Sequence, residues 1–130
     1  MPFTEAFRNA LLDHAVGTTE YTFDTDLFVA LFNGDPAGAG TEVEITATDG
    51  YTRQALSCGA AASGATSNSG TITFGPNSGA GSWTVTHFAI YDTVTPGAGT
   101  LKISGTITNR TVAQNDSYQI AAGDLDITAT

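Results

Sequence analysis

Positive charge is nearly missing from this sequence. Its 130 residues hold four Lys and Arg against 13 Asp and Glu, a formal charge of -9. A surface so biased repels phosphate groups, which argues against nucleic acid as a partner. Anionic membrane surfaces are disfavoured for the same reason. The same charge favours solubility and would suit a basic protein partner. Charged residues of both signs make up only 13% of the chain, about half the usual share.

Cysteine is almost absent as well. Cys58 stands alone, so no disulfide can form within the chain, and stability must come from packing or assembly. On residue type alone Cys58 reads as a small buried apolar residue on a strand. The opening MPFTEAFRNALLDHAVG has no basic start, and Glu5, Arg8, Asn9 and Asp13 interrupt it, so no signal peptide is expected. No run approaches the ~18 apolar residues that a membrane-crossing helix needs.

What is present is Thr, Ala, Gly and Ser, with a hydrophobic fraction of 41%. That is the profile of short strands and turns. Only residues 4–15 read as a helix. Phe7, Ala10, Leu11, His14 and Ala15 form one apolar stripe, Thr4 can cap the start, and Gly17 is a natural stop. Residues 27–32, LFVALF, are apolar on both alternating faces and suit a strand covered on both sides. Further strands are expected over 51–58, 71–74, 82–92, 100–109, 118–121 and 125–128. Residues 37–50 read as an acidic, Gly-rich loop. Residues 59–70, GAAASGATSNSG, read as a surface loop too poor in large side chains to pack alone. In 82–92, strict alternation puts Trp83, Val85, His87, Ala89 and Tyr91 on one face. Leu101, Ile103 and Ile107 alternate along 100–109, with Gly105 marking a bulge or a close contact.

One helix followed by six to eight strands with turn residues between them predicts an all-β fold. The expectation is an antiparallel β-sandwich or jelly-roll-like barrel with one short N-terminal α-helix. The chain is read as one β domain over residues 1–130, with 1–17 a helical segment that packs on it or extends from it.

The candidate chemistry is sparse. His87 sits mid-strand between Trp83 and Tyr91 and reads as a partly buried imidazole with one hydrogen bond; the functional alternative is a subunit contact, or a pH-sensitive one. No nucleophile-elbow pattern accompanies it, and two His and one Cys, widely separated, fall short of a zinc ligand set. The acidic segment 41–49, with Thr41, Glu42, Val43, Glu44 and Asp49, reads as a solvated edge; it lacks the spacing of a calcium loop. Asp24 and Asp26 read as turn or strand-edge groups. Arg53, one of four cations, shares a face with Tyr51. It is expected either to anchor the acidic loop through a carboxylate or to stack on an aromatic ring. No catalytic residue, cofactor or metal is assigned.

Several blocks of the sequence carry a resemblance: LFVALFNGDP followed by GTEV, then GYTRQA, SWTVTHFAIYD and the ending AAGDLDIT. Across nearly the whole chain it resembles a family of small virion proteins of tailed bacteriophages, often labelled phage tail fibre protein. Some related small phage proteins are capsid cement, or decoration, proteins. The resemblance implies a structural virion protein and no catalytic set. A small acidic domain without fibrous repeat or coiled coil makes a poor fibre shaft. The leading expectation is therefore a cement protein that binds the major capsid protein at the shell surface, as a homo-oligomer, with a trimer suited to threefold lattice sites. The alternative is a tail fibre or tail-tip protein whose loops at 34–50 and 59–70 contact the host surface.

Overall fold

A computed structural model describes residues 3–38, 42–45 and 49–129. Thr41 of the acidic segment, much of the loop around it and the first two residues of the leading segment lie outside the described residues.

Helix α1 spans Glu5–Ala15. Thr4 caps it as the sequence predicts: its Oγ1 accepts from the Phe7 amide at 3.3 Å and also donates to the Leu101 carbonyl at 3.1 Å. Gly17, at φ +77°, takes the left-handed conformation just past the last turn. The helix rests on the strand that contains Leu101, but none of its residues is fully buried. Phe3 and Phe7 are its anchors, packing partly buried against the core.

Nine strands follow among the described residues: β1 (Phe28–Asn33), β2 (Val43–Glu44), β3 (Gln54–Ala55), β4 (Ala65–Ser67), β5 (Ile72–Phe74), β6 (Trp83–Tyr91), β7 (Leu101–Val112), β8 (Tyr118–Ile120) and β9 (Asp126–Thr128). The main sheet runs β2-β1-β6-β7, and β3 shares with β2 the β1 edge that β6 leaves open. Two antiparallel ribbons, β4-β9 and β5-β8, stand apart from it. Every pairing is antiparallel. The architecture is all-β and sandwich-like with one short α-helix, and among the described residues no sheet closes into a barrel.

The main core lies between one face of the large sheet and the ribbons. Val29, Leu31, Val85, Phe88 and Ile90 from the sheet meet Ile72, Phe74, Tyr118, Ile120 and Ile127 from the ribbons. A smaller cluster on the opposite sheet face holds Ala30, Phe32 and Ala89, with Tyr91 and Leu101 against it. β1 therefore buries both faces, as its unbroken apolar run predicts.

The structure corrects the sequence reading in four places. First, β6 does not alternate throughout. Its pairing with β7 shifts between Val85 and His87 and again between Ile90 and Tyr91. Trp83 and Val85 therefore share the main core with Phe88 and Ile90, whereas Ala89 and Tyr91 belong to the opposite face. The second shift likewise separates Leu101 from Ile103. A bulge changes the phase of a strand, and simple alternation cannot see it. Second, the stretch 51–58 pairs only at Gln54–Ala55, apart from an isolated bridge at Cys58. Cys58 is exposed rather than buried. Third, the small-residue loop 59–70 contains strand β4, which finds its ladder in β9. Fourth, the acidic segment contains strand β2.

Two buried asparagines hold the ribbons in place. Asn68 donates through Nδ2 to the carbonyls of Gly70 and Ala121 and accepts from the Leu125 amide. Asn77 donates to Gly81 and Val112 and accepts from Gly79. Asn68 thus ties its loop to the 121–125 turn and Asn77 ties its loop to the end of β7, and neither leaves a buried polar atom of its own unpaired.

Candidate functional site

The chemistry-bearing residues gather in three places. The first is the open edge of β1, between the short pairings with β3 and β2. Tyr51 fills that gap: the Leu31 amide donates to its hydroxyl at 3.0 Å. The hydroxyl in turn donates to Glu44 Oε1 at 2.8 Å. Glu44 also accepts from Arg53 Nε at 2.8 Å, from Arg53 Nη2 at 2.9 Å and from the Gly97 amide at 3.0 Å. Arg53 Nη1 donates to the carbonyls of Thr93 and Ala98, each at 2.9 Å. Its guanidinium lies 4.0 Å from the ring centroid of Tyr91.

Arg53 therefore does both things its sequence position allowed, pairing with the acidic segment and stacking on an aromatic ring. Glu44 is not the solvated edge expected of it. Its side chain is 11% exposed and that of Arg53 is fully buried. Burial alone would lower the Arg53 pKa, but the bonds and charge of Glu44 outweigh it and the pKa rises. Burial, then the Glu44 charge, pushes the Tyr51 phenol well above its ordinary value. These groups are fully engaged with one another, which makes the cluster a clasp between β2, β3 and the 93–98 turn.

The second place is a surface cleft of about 460 Å³ lined by Asp35, His87, Ser104, Gly105, Thr106, Asp126 and Thr128. His87 is half-buried there, with Nδ1 2.8 Å from Thr86 Oγ1. That single bond agrees with the structural reading of the imidazole. The cleft brings His87 near Ser104 and two carboxylates, a juxtaposition the sequence did not reveal because a bulge and a ribbon create it. Among the described residues no hydrogen bond joins His87 to Ser104, Asp35 or Asp126, so the nucleophile–base–acid relay of a hydrolase is not formed. No group of three or more His, Cys, Asp or Glu among the described residues could hold a metal ion. Cys58 has its thiol pKa raised by burial of its surroundings, the opposite of an activated nucleophile.

The third place is a hollow of about 250 Å³ where the end of β1, β2 and the start of β6 meet. Asn33, Val43, Asp49, Ser82, Trp83 and Thr84 line it, with Glu44 at its side. Trp83 is 3% exposed, packs edge-on to Tyr51 with centroids 6.1 Å apart, and its buried indole Nε1 has no hydrogen-bond partner among the described residues. The sequence flagged Trp83 as the sole tryptophan but did not place it beside Asp49 and Asn33.

Asp24, read from sequence as a turn group, also has a partner. Its Oδ2 accepts from the Tyr21 hydroxyl at 2.9 Å and lies 3.4 Å from Lys102 Nζ. This contact ties the segment after the helix to β7.

A search of curated proteins finds no match. A family model described as "Podophage GP4 fiber I protein gp80" matches residues 2–128. That span covers nearly the whole chain, including every strand and the helix among the described residues. It agrees with the resemblance carried by LFVALFNGDP, GYTRQA and SWTVTHFAIYD, and with a family of structural virion proteins. The chain belongs to the podophage GP4 fiber I protein gp80 family, a family of tailed-phage virion proteins of the fibre type.

Proposed function

We propose that this chain is a tail-fibre component that contacts the host surface, rather than a cement protein of the capsid shell. The observation that carries the reading is the fibre-type family match over residues 2–128. The expectation of a cement protein rested on the lack of a fibrous repeat, and a sandwich-like body does not require one if it forms a head or a joint rather than a shaft. The rigid build is suited to this work. The Glu44–Arg53 clasp and the two buried asparagines fix loops whose outer residues stay free to meet a partner. Self-association as a symmetric homo-oligomer, with three copies the leading expectation, would multiply weak single contacts through avidity.

Cryo-electron microscopy of the intact virion tests the reading. A small copy number at the tail supports it. Hundreds of copies over the shell, seated on the major capsid protein, would overturn it in favour of the cement role.

A further inference from the structure

Helix α1 has two apolar sides, and the fold uses one of them. Phe7 packs on the core, and Ala10 and Leu11, three and four residues on, are half-buried. Leu12 and Val16 point the other way and are 63% and 68% exposed. Arg8, Leu12 and Val16 follow at four-residue spacing and so form one line along the helix. Beside that line runs an open groove of about 390 Å³, lined by Phe3, Arg8, Leu11, Leu12, Ala15 and Ala129. Its two walls are preset. Phe3 rests on Phe7 with ring centroids 5.0 Å apart and bridges to Ile103, while the Ala129 amide donates to the Gly64 carbonyl at 2.9 Å. A groove already ordered loses less affinity on binding.

Arg8 gives the groove its charge. Arg53 is held by Glu44, and Lys102 lies 3.4 Å from Asp24. Among the described residues Arg8 meets no carboxylate and makes no side-chain hydrogen bond. In a chain with 13 acidic residues and four Lys and Arg, a guanidinium left free at an apolar groove is a place prepared for an outside carboxylate. We propose that this face of α1 docks a helical segment of a different virion protein, one with apolar residues a turn apart and a Glu or Asp that pairs with Arg8. Helix-in-groove binding reads apolar anchors at three- and four-residue spacing, which is the spacing of Leu12 with Val16 and of Leu11 with Ala15. A lipid surface fits badly, because Glu5 and Asp13 share the helix and the net charge of -9 repels anionic headgroups. A sugar would meet almost no hydrogen-bonding group. A second copy would bring the same Arg8 and the same net charge, so like would face like. An 11-residue helix is only about 17 Å long, too short for the roughly 800 Å² per partner of a free-standing complex. Such a contact suits one anchor within a larger assembly, where neighbouring contacts add avidity. The inference rests on membership of a virion protein family and not on the host-contact reading.

The test places a photo-crosslinking amino acid at position 12 of the chain, irradiates intact virions and sequences the adducts by mass spectrometry. The expected adduct joins one segment of a different virion protein, with apolar residues a turn apart and a Glu or Asp within a turn of them. A synthetic peptide of that segment should bind the full-length protein with a Kd of about 10–100 μM in fluorescence anisotropy. Leu12→Ser combined with Val16→Ser should weaken it about tenfold, and so should Arg8→Gln. Changing the peptide's acid to its amide should cost as much against the wild-type chain and nothing against Arg8→Gln. Val94→Ser, at another exposed apolar site, should leave binding intact. Circular dichroism and urea midpoints should match the wild type throughout; if the double serine variant loses its fold, the cycle between Arg8 and the peptide's acid decides alone. No adduct, an adduct to a second copy, to lipid or to a segment without an acid, or no coupling in that cycle would overturn the proposal. An adduct to the major capsid protein would sink the fibre reading but not the docking face. A tail location with no adduct would sink the docking face but not the fibre reading.

Discussion

Arg53 and Glu44 face each other as a fork and a carboxylate, Nε to Oε1 at 2.8 Å and Nη2 to Oε2 at 2.9 Å. Both side chains are taken almost wholly out of water. Such a pair stabilises only when the remaining donors and acceptors are also satisfied. Here they are, through Tyr51, Gly97, Thr93 and Ala98.

Arg53→Ala would leave Glu44 desolvated without a cation. The expected loss is about 3–5 kcal/mol, read from urea unfolding. Arg53→Lys should lose much of the same stability, because an ammonium cannot span two carboxylate oxygens and two carbonyls from one plane. Replacing both members with apolar residues of similar size, as in Arg53→Met with Glu44→Leu, should recover much of the loss. If Arg53→Ala unfolds at the wild-type urea concentration, the clasp does not hold the edge of β1.

Alkaline pH should destabilise the protein through its phenols and paired cations. Burial raises the phenol pKa of Tyr21, Tyr51, Tyr91 and Tyr118. Arg53 and Lys102 are raised despite burial, through Glu44 for the first and through Tyr21 and Asp24 for the second. A raised folded value means that the native state holds its proton more tightly than the unfolded chain. The resulting stability is complete below the ordinary phenol value of 10.0 and is lost as pH rises through the folded values. Denaturation midpoints should therefore be flat on this account through neutral pH and fall above about pH 10. Tyr51→Phe should be less stable at neutral pH, because the Leu31 amide loses its acceptor, yet decline less steeply in alkali. An equal decline in both proteins would show that Tyr51 carries none of the effect.

The phase change in β6 separates two neighbours that alternation would rank the other way. Phe88 is fully buried in the main core, whereas His87 is half-buried at the cleft with one local hydrogen bond. Phe88→Ala should cost about 3–5 kcal/mol, and His87→Ala no more than about 1 kcal/mol. Equal costs in thermal unfolding would put the bulge in the wrong place.

The sequence made some elements legible because their determinants are local. Thr4, the stripe from Phe7 to Ala15, and Gly17 define α1 within a few residues. LFVALF shows a strand with two covered faces without reference to its partners. What could not be read depends on distant chain. β4 is built of Ala65, Thr66 and Ser67, which have no packing signal of their own; the last strand supplies their ladder, and Asn68 bonds both ends of the 121–125 turn. Glu44 looked solvated because only the fold brings Arg53, Tyr51 and Gly97 to it. The Trp83 hollow and the His87 cleft are likewise products of topology. Cys58 was misplaced because a residue-type average for free cysteine says nothing about where pairing of its strand stops.

Helix α1 makes a graded prediction. Its contribution to stability sits at its beginning, where Phe3 and Phe7 meet the core and Thr4 bonds the β7 backbone through Leu101 and Lys102. Its end carries Leu12 at 63% exposure and Val16 at 68%, which bury little. Phe7→Ala should therefore lower stability by about 2 kcal/mol, less than a fully buried phenylalanine because the ring is only partly covered. Leu12→Ser combined with Val16→Ser should stay within about 0.5 kcal/mol per site, as exposed substitutions do. Removing residues 1–17 should uncover Ile103 and neighbouring apolar surface and cause aggregation, seen as early elution in size-exclusion chromatography. A truncated protein that stays monodisperse with an unchanged melting temperature would mean that Phe3 and Phe7 contribute nothing to the core they touch.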